Sequence, residues 1–391
     1  MATGAAQQDH PTGGSPGLPG APAGTERHPH AAAVLAPAVA PQGIPSHAYL
    51  FHGPAGAGKR EVARAVAAAL LAKGASSPET VAERVGRDSH PDLTWVRPSG
   101  AVEMLVGDID EAVVAAASRT PFESARRVFV IESAETLNDQ AANRLLKTLE
   151  EPPPFVHLLL LSDRLQDVMG TIVSRCQLVR FDPLPAEGIE SSLTAEGIEA
   201  QRARAAARLA MGDAVLAGRL SGEEGAALRA CAEGLARASL TGDTAERPWL
   251  GLLDAAKAAG AEAGERSAEA LADDLELLPS KERKKHEREA QDARRRGERR
   301  ARTSTLDLGL RLTELWLRDL LCLTEGAGDL IYAVDRKAEL EADAKLAVQA
   351  GGEAMLERAI ELVGATRLSL SLNVSEELAL ESLAYEIGAD A

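Results

Sequence analysis

Five short apolar runs, at residues 48–51, 93–96, 128–131, 156–161 and 178–181, set the pattern of the first half of the chain. Each has the length of a strand. Most lack alternation, as expected of strands buried on both faces. Helical stretches at 59–73, 109–118, 138–150 and 165–173 lie between them, and Pro152-Pro153-Pro154 stops the third. Strands alternating with helices predict a parallel sheet covered on both sides. After Pro185 the strand signals end. Helical patterns follow at 195–220, with a break at Gly212, and at 222–239, 305–323, 339–363 and 375–387. In the apolar 305–323 segment, Arg311, Glu314 and Arg318 form one polar stripe. Residues 1–42 are rich in Ala, Gly, Pro and His, show no amphipathic period and read as a disordered tail.

Composition narrows the picture. The length of 391 residues suits two or three domains at roughly 100–200 residues each. Aromatic residues make up only 3%, so the cores are built from Ala, Leu and Val, which favours helix. A net charge of −16 argues against a surface coated for nucleic-acid binding, while leaving room for a local basic patch. Residues 281–302 are such a patch: eleven Lys/Arg against five Asp/Glu, a local +6 that leaves about −22 elsewhere. No aromatic residue interleaves it, so a stacking platform for single strands is not expected. The segment reads first as a solvated helix or helical hairpin arm laced with charge pairs, and second as a phosphate-backbone contact. Cys176, Cys231 and Cys322 lie far apart with no CxxC pair, which supports neither a zinc ribbon nor a disulfide framework. No apolar run reaches the ~18 residues of a membrane span, and no secretory signal pattern opens the chain. The expectation is a cytoplasmic, soluble protein.

The candidate chemistry centres on Gly53-Pro54-Ala55-Gly56-Ala57-Gly58-Lys59-Arg60, between a predicted strand and a predicted helix. That is the context of a P-loop: Gly53, Gly56 and Gly58 let amides turn towards phosphates, and Lys59 reaches the terminal ones. A working P-loop has Ser or Thr after the lysine to hold Mg²⁺. Here Arg60 stands there and cannot ligate a cation. The strand at 128–131 runs into Glu132-Ser133-Ala134-Glu135. Glu132 could partly replace a metal-shell acid. Ser133 is too weak a base to activate water, and Glu135 is three residues too far on. Hydrolysis in this site is therefore not expected, while ATP or ADP binding stays open. Ser174-Arg175-Cys176 precedes the fifth strand; an arginine there could serve as a finger in a neighbour's site. Cys176 reads as a packed thiol.

Together these segments resemble the clamp-loader subunits of bacterial DNA polymerase III, in particular the delta-prime family, over residues 45–391. His47-Ala48-Tyr49-Leu50-Phe51 resembles the family's entry strand, and Asp88-Ser89-His90-Pro91-Asp92 its segment before the second strand. Ala141-Ala142-Asn143-Arg144-Leu145-Leu146-Lys147-Thr148-Leu149-Glu150-Glu151-Pro152-Pro153 is the most specific stretch, shared with gamma/tau, and Ser174-Arg175-Cys176 is a family motif. Leu317-Arg318-Asp319-Leu320-Leu321, Leu372-Asn373-Val374 and Leu378-Ala379-Leu380-Glu381 resemble the collar. The resemblance implies an AAA+ fold: an α/β P-loop domain with a five-stranded parallel sheet at 43–183, a small helical lid at 184–222, and an all-α collar for oligomerisation at 223–391. It implies a non-motor, stator-type subunit that supplies Arg175 in trans to a neighbour's ATP site. The implied partners are gamma/tau and delta, with the sliding clamp and primer–template DNA reached through the assembled loader. Family members commonly carry a four-cysteine zinc module after the P-loop. Residues 61–88 contain no cysteine, so no zinc and no other metal is expected. Met211-Gly212-Asp213-Ala214-Val215 lacks the nucleotide-sensing arginine of the motor subunits. The alternatives are an ATP-hydrolysing gamma/tau-like motor and an AAA+ interaction protein outside replication.

Overall fold

The computed structural model describes residues 20–98, 103–275, 280–371 and 374–389. They divide into two compact units, with the chain passing from the first to the second at Asp182 and Pro183.

The first unit contains helix α1 (Pro29–Val39), strand β1 (Ala48–His52), helices α2 (Lys59–Leu71) and α3 (Pro78–Gly86), and strand β2 (Leu93–Val96). The short helices α4 (Val106–Ile109) and α5 (Ala115–Ala117) follow, joined through a π-helical turn, then β3 (Arg127–Ile131), α6 (Asp139–Glu150), β4 (Val156–Ser162), α7 (Gly170–Val173) and β5 (Gln177–Arg180). The five strands form one parallel sheet in the order β2-β3-β4-β1-β5. Successive residues of each inner strand point to opposite faces. Tyr49, Phe51, Val128, Val130, Leu159 and Leu161 pack on one side with α1–α3, whereas Leu50, Phe129, Ile131, Leu158 and Leu160 pack on the other with α4–α7. Both faces are covered, which is why these strands read as unbroken apolar runs. β5 is an edge, with only Val179 buried.

Two expectations change here. Part of the stretch expected to be a disordered tail is helix α1, whose Ala31 and Leu35 are fully buried in the core that holds α2 and β5. Ala31, Leu35 and Ala38 recur at i, i+4 and i+7, and Pro29 sits in the first turn where its missing N–H costs nothing. Residues 1–19 of that expected tail lie outside the described residues. The helix expected at 165–173 is a 3₁₀ turn followed by the short α7, because Val168 and Met169 are extended between them.

The second unit is helical: α8 (Ala186–Ala195), α9 (Ala200–Leu209), α10 (Ala214–Ser221), α11 (Glu223–Thr241), α12 (Leu250–Leu275), α13 (Ser280–Thr324), α14 (Lys337–Gln349), α15 (Gly352–Ser371) and α16 (Glu376–Ala389). One core runs from Ile189 and Ala203 through Leu220 and Leu235 to Trp316, Leu356 and Leu380. The stretches expected as lid and collar thus contribute to a shared core. The basic segment and the apolar 305–323 segment form a single helix, α13. The helix expected over 339–363 is instead two, broken where Gly351 and Gly352 take φ of +127° and +65°, a region that favours glycine. Of the collar motif Leu372-Asn373-Val374, the first two residues lie outside the described residues. No helix among the described residues is long and apolar enough to cross a membrane.

Candidate functional site

Parallel strands put all their carboxyl ends on one edge, where ligands of α/β sheets bind. β1 therefore delivers the glycine loop, β3 delivers Glu132, and β4, lying between them, delivers Asp163. Gly53 has φ +147°, and a Cβ there would stand 2.1 Å from the Phe181 carbonyl oxygen, so the loop can pass β5 this closely only with glycine. Gly58, at φ +84°, caps α2 and turns the chain into the helix. Lys59 follows and is almost buried. Its ammonium donates to the carbonyls of Gly53 at 2.7 Å and Pro54 at 2.6 Å, and pairs with Asp163 Oδ1 at 2.7 Å. A phosphate entering the loop would compete with all three for this cation.

Glu132 is buried, and its carboxylate is fully engaged. Oε2 lies 2.8 Å from Arg60 Nη2, Oε1 accepts from Trp95 Nε1 at 2.6 Å, and Arg97 Nε stands 3.4 Å from Oε1. The guanidinium groups of Arg64 and Arg97 lie 4.6 and 5.8 Å from the centre of the Trp95 ring. The two positions that would hold Mg²⁺ in a working P-loop enzyme are thus a guanidinium–carboxylate pair. A divalent cation does not fit this donor set, because Arg60 brings its own positive charge to the buried Glu132. Ser133 has φ +54°, and Glu135 lies on the following 3₁₀ turn. Arg60→Ala should leave Glu132 buried with less compensation. Because Arg60 itself is mostly exposed, we expect a loss of about 1–2 kcal/mol, read as a lower urea midpoint at unchanged m.

Arg175 lies at the other edge of the sheet. It precedes β5 by two residues, and β5 runs parallel to β1 with Tyr49 opposite Gln177 and His52 opposite Arg180. Arg175 thus stands level with the start of β1, whereas the P-loop follows its end, roughly 20 Å away at ~3.3 Å per residue. The guanidinium is held by two elements. Nη1 donates to Thr171 O at 2.9 Å and Ser174 Oγ at 3.3 Å, and Nη2 meets Glu150 Oε1 at 2.6 Å. Glu150 is the last residue of α6, inside the most specific motif of the sequence. Arg175 remains 36% exposed, so it is oriented yet accessible. At that distance it cannot act on its own P-loop. Cys176 beside it is pushed up to about 12 by burial and is no nucleophile at neutral pH.

The structure thus brings Gly53, Gly56, Gly58, Lys59 and Glu132 to one edge and leaves Arg175 apart. Sequence reasoning did not find Asp163, Trp95, Arg97 or Glu150. Only Asp163 carried a local signal, as a carboxylate immediately after a buried strand. Asp92 is structural: it is fully buried and accepts from the backbone N–H groups of Phe122, Glu123 and Ser124. Among the described residues no group of three or more His, Cys, Asp or Glu could hold a metal ion.

Residues 28–185 match the family model described as DNA polymerase III, delta subunit. The chain is 35% identical over 168 residues to DNA polymerase III subunit delta' of Bacillus subtilis, covering 42% of this chain and 50% of that protein. It is 38% identical over 145 residues to the delta' subunit of Pseudomonas aeruginosa, covering 36% and 44%. Over residues 28–185 the chain is thus similar to DNA polymerase III delta' subunits. The match begins at His28, inside the stretch expected to be a tail, in keeping with the buried helix α1. The chain spans about half the length of the curated relatives it matches. A gamma subunit-related protein of Thermotoga maritima is similar at 18% identity and a TM-score of 0.40, over 88% of this chain and 95% of that one.

Proposed function

We propose that this delta-prime-type chain is a clamp-loader stator. It assembles with gamma/tau and delta subunits, supplies Arg175 to the ATP site of the adjacent motor subunit, and so helps the loader place the sliding clamp on primer–template DNA in the cytoplasm. The carrying observation is the position of Arg175: oriented by Glu150 and Thr171, accessible, and at the sheet edge away from the chain's own P-loop. The pairing of Arg60 with Glu132 supports the same reading, because it puts a side-chain cation where hydrolysis needs a metal. In this reading the chain is not an ATPase by itself, and residues 184–222 and 223–391 act as lid and collar. Reconstitution with the gamma/tau and delta subunits of the same organism tests it. A stable complex that loads clamp onto primed DNA only when this chain is present is expected. Failure of the folded chain to join that complex would overturn the reading.

A further inference from the structure

Helix α13 carries its arginines unequally around its axis. Gly260 and Gly264 lie one turn apart on α12. A Cβ at Gly260 would stand 2.6 Å from Arg302 Cγ, and one at Gly264 would stand 2.5 Å from Glu298 Cγ. The two helices therefore close tightly at Glu298 and Arg302, which fixes the face of α13 turned to its neighbour. Arginines next to that contact are paired: Arg294 with Glu298 at 3.4 Å, and Arg302 with Glu376. Arg288, Arg295, Arg296 and Arg299 are exposed, and among the described residues none has a carboxylate within ion-pair distance. Positions 288, 295 and 299 recur at i, i+7 and i+11, a stripe about 16 Å long at 1.5 Å per residue. Arg296 flanks it, and Asp292 is its one acid.

Unpaired guanidinium groups in a row, on a chain whose net charge is −16, match the geometry and sign of phosphate oxygens. We propose that this stripe of α13 contacts the phosphodiester backbone of duplex DNA without reading its sequence. Duplex is favoured over single strand because no aromatic residue between 281 and 302 offers a stacking surface. The choice of DNA among polyanions rests on the clamp-loader reading.

The test uses the isolated full-length chain and a fluorescein-labelled 30-base-pair duplex, with anisotropy titrations between 50 and 200 mM NaCl. Wild type is compared with the combined variant Arg295→Gln, Arg296→Gln and Arg299→Gln. The expected result is at least about a tenfold loss of affinity at the lowest salt, with the slope of log K against log salt reduced by about 2–3. Arg358→Gln, on α15 outside the stripe, should bind this duplex like wild type, and the titration needs no other loader subunit, so failure here and failure of the loader reading are distinguishable. Undetectable binding by wild type, or equal affinity and slope for the variant, would overturn the proposal. So would loss of binding to phosphatidylglycerol vesicles with DNA binding untouched.

Discussion

Arg175→Ala is expected to lower the DNA-stimulated ATP turnover of the reconstituted loader by on the order of 10³-fold or more, the scale of removing one guanidinium from a phosphoryl-transfer site that depends on it. The charge on the transferring phosphoryl group grows in the transition state. A donor already oriented for it needs no reorganisation at that moment. Glu150 and Thr171 supply the orientation, and neither is altered by the substitution. The chain itself should remain folded, because an ion pair this exposed contributes only about 0–1 kcal/mol. Arg175→Lys should recover little. An ammonium cannot reproduce the planar fork that meets Thr171, Ser174 and Glu150 together. A melting curve beside the turnover assay separates loss of the finger from loss of fold.

Asp319→Ala is expected to be the most damaging of these substitutions for stability, costing about 3–5 kcal/mol. Asp319 lies on α13 and is fully buried. Its carboxylate accepts from the backbone N–H groups of Tyr332 and Ala333 and from Arg318, whose guanidinium lies 4.3 Å from the centre of the Tyr332 ring. Burial pushes its carboxyl above the usual range, and these hydrogen bonds only partly offset that. Alanine would leave the buried amide of Ala333 and the half-buried amide of Tyr332 without their acceptor, and would free the chain that leads into α14. Chemical denaturation of the single variant measures the cost. A loss under about 1 kcal/mol would mean that this carboxylate does not hold the 331–333 segment.

The strands were legible because burial on both faces makes Val128 to Ile131 and Leu158 to Leu161 continuous apolar runs. The glycine loop was legible because its conformation demands glycine at fixed spacing, as the contact between Gly53 and Phe181 makes plain. Helix α1 was not legible. Four buried residues in a stretch dominated by Ala, Pro and His give too weak a period to outweigh its composition. Arg60 and Ser133 looked like two unrelated defects. The pairing of Arg60 with Glu132, 72 positions later, depends on β4 separating β1 from β3 in the sheet, which no local pattern records. The Ser-Arg-Cys motif marked Arg175 only through family resemblance. Its partner Glu150 sits at the end of a helix that motif recognition had already found, yet their contact is a property of the fold.

The central claim is that this chain acts through a neighbour's nucleotide site and not through its own. The most direct measurement is DNA-stimulated ATP turnover of the reconstituted loader carrying wild type, Lys59→Ala or Arg175→Ala versions of this chain, each first shown to assemble. The account predicts turnover close to wild type for Lys59→Ala and a collapse for Arg175→Ala. A collapse for Lys59→Ala with normal turnover for Arg175→Ala would contradict it, and would mean that the P-loop works despite the Arg60–Glu132 pair.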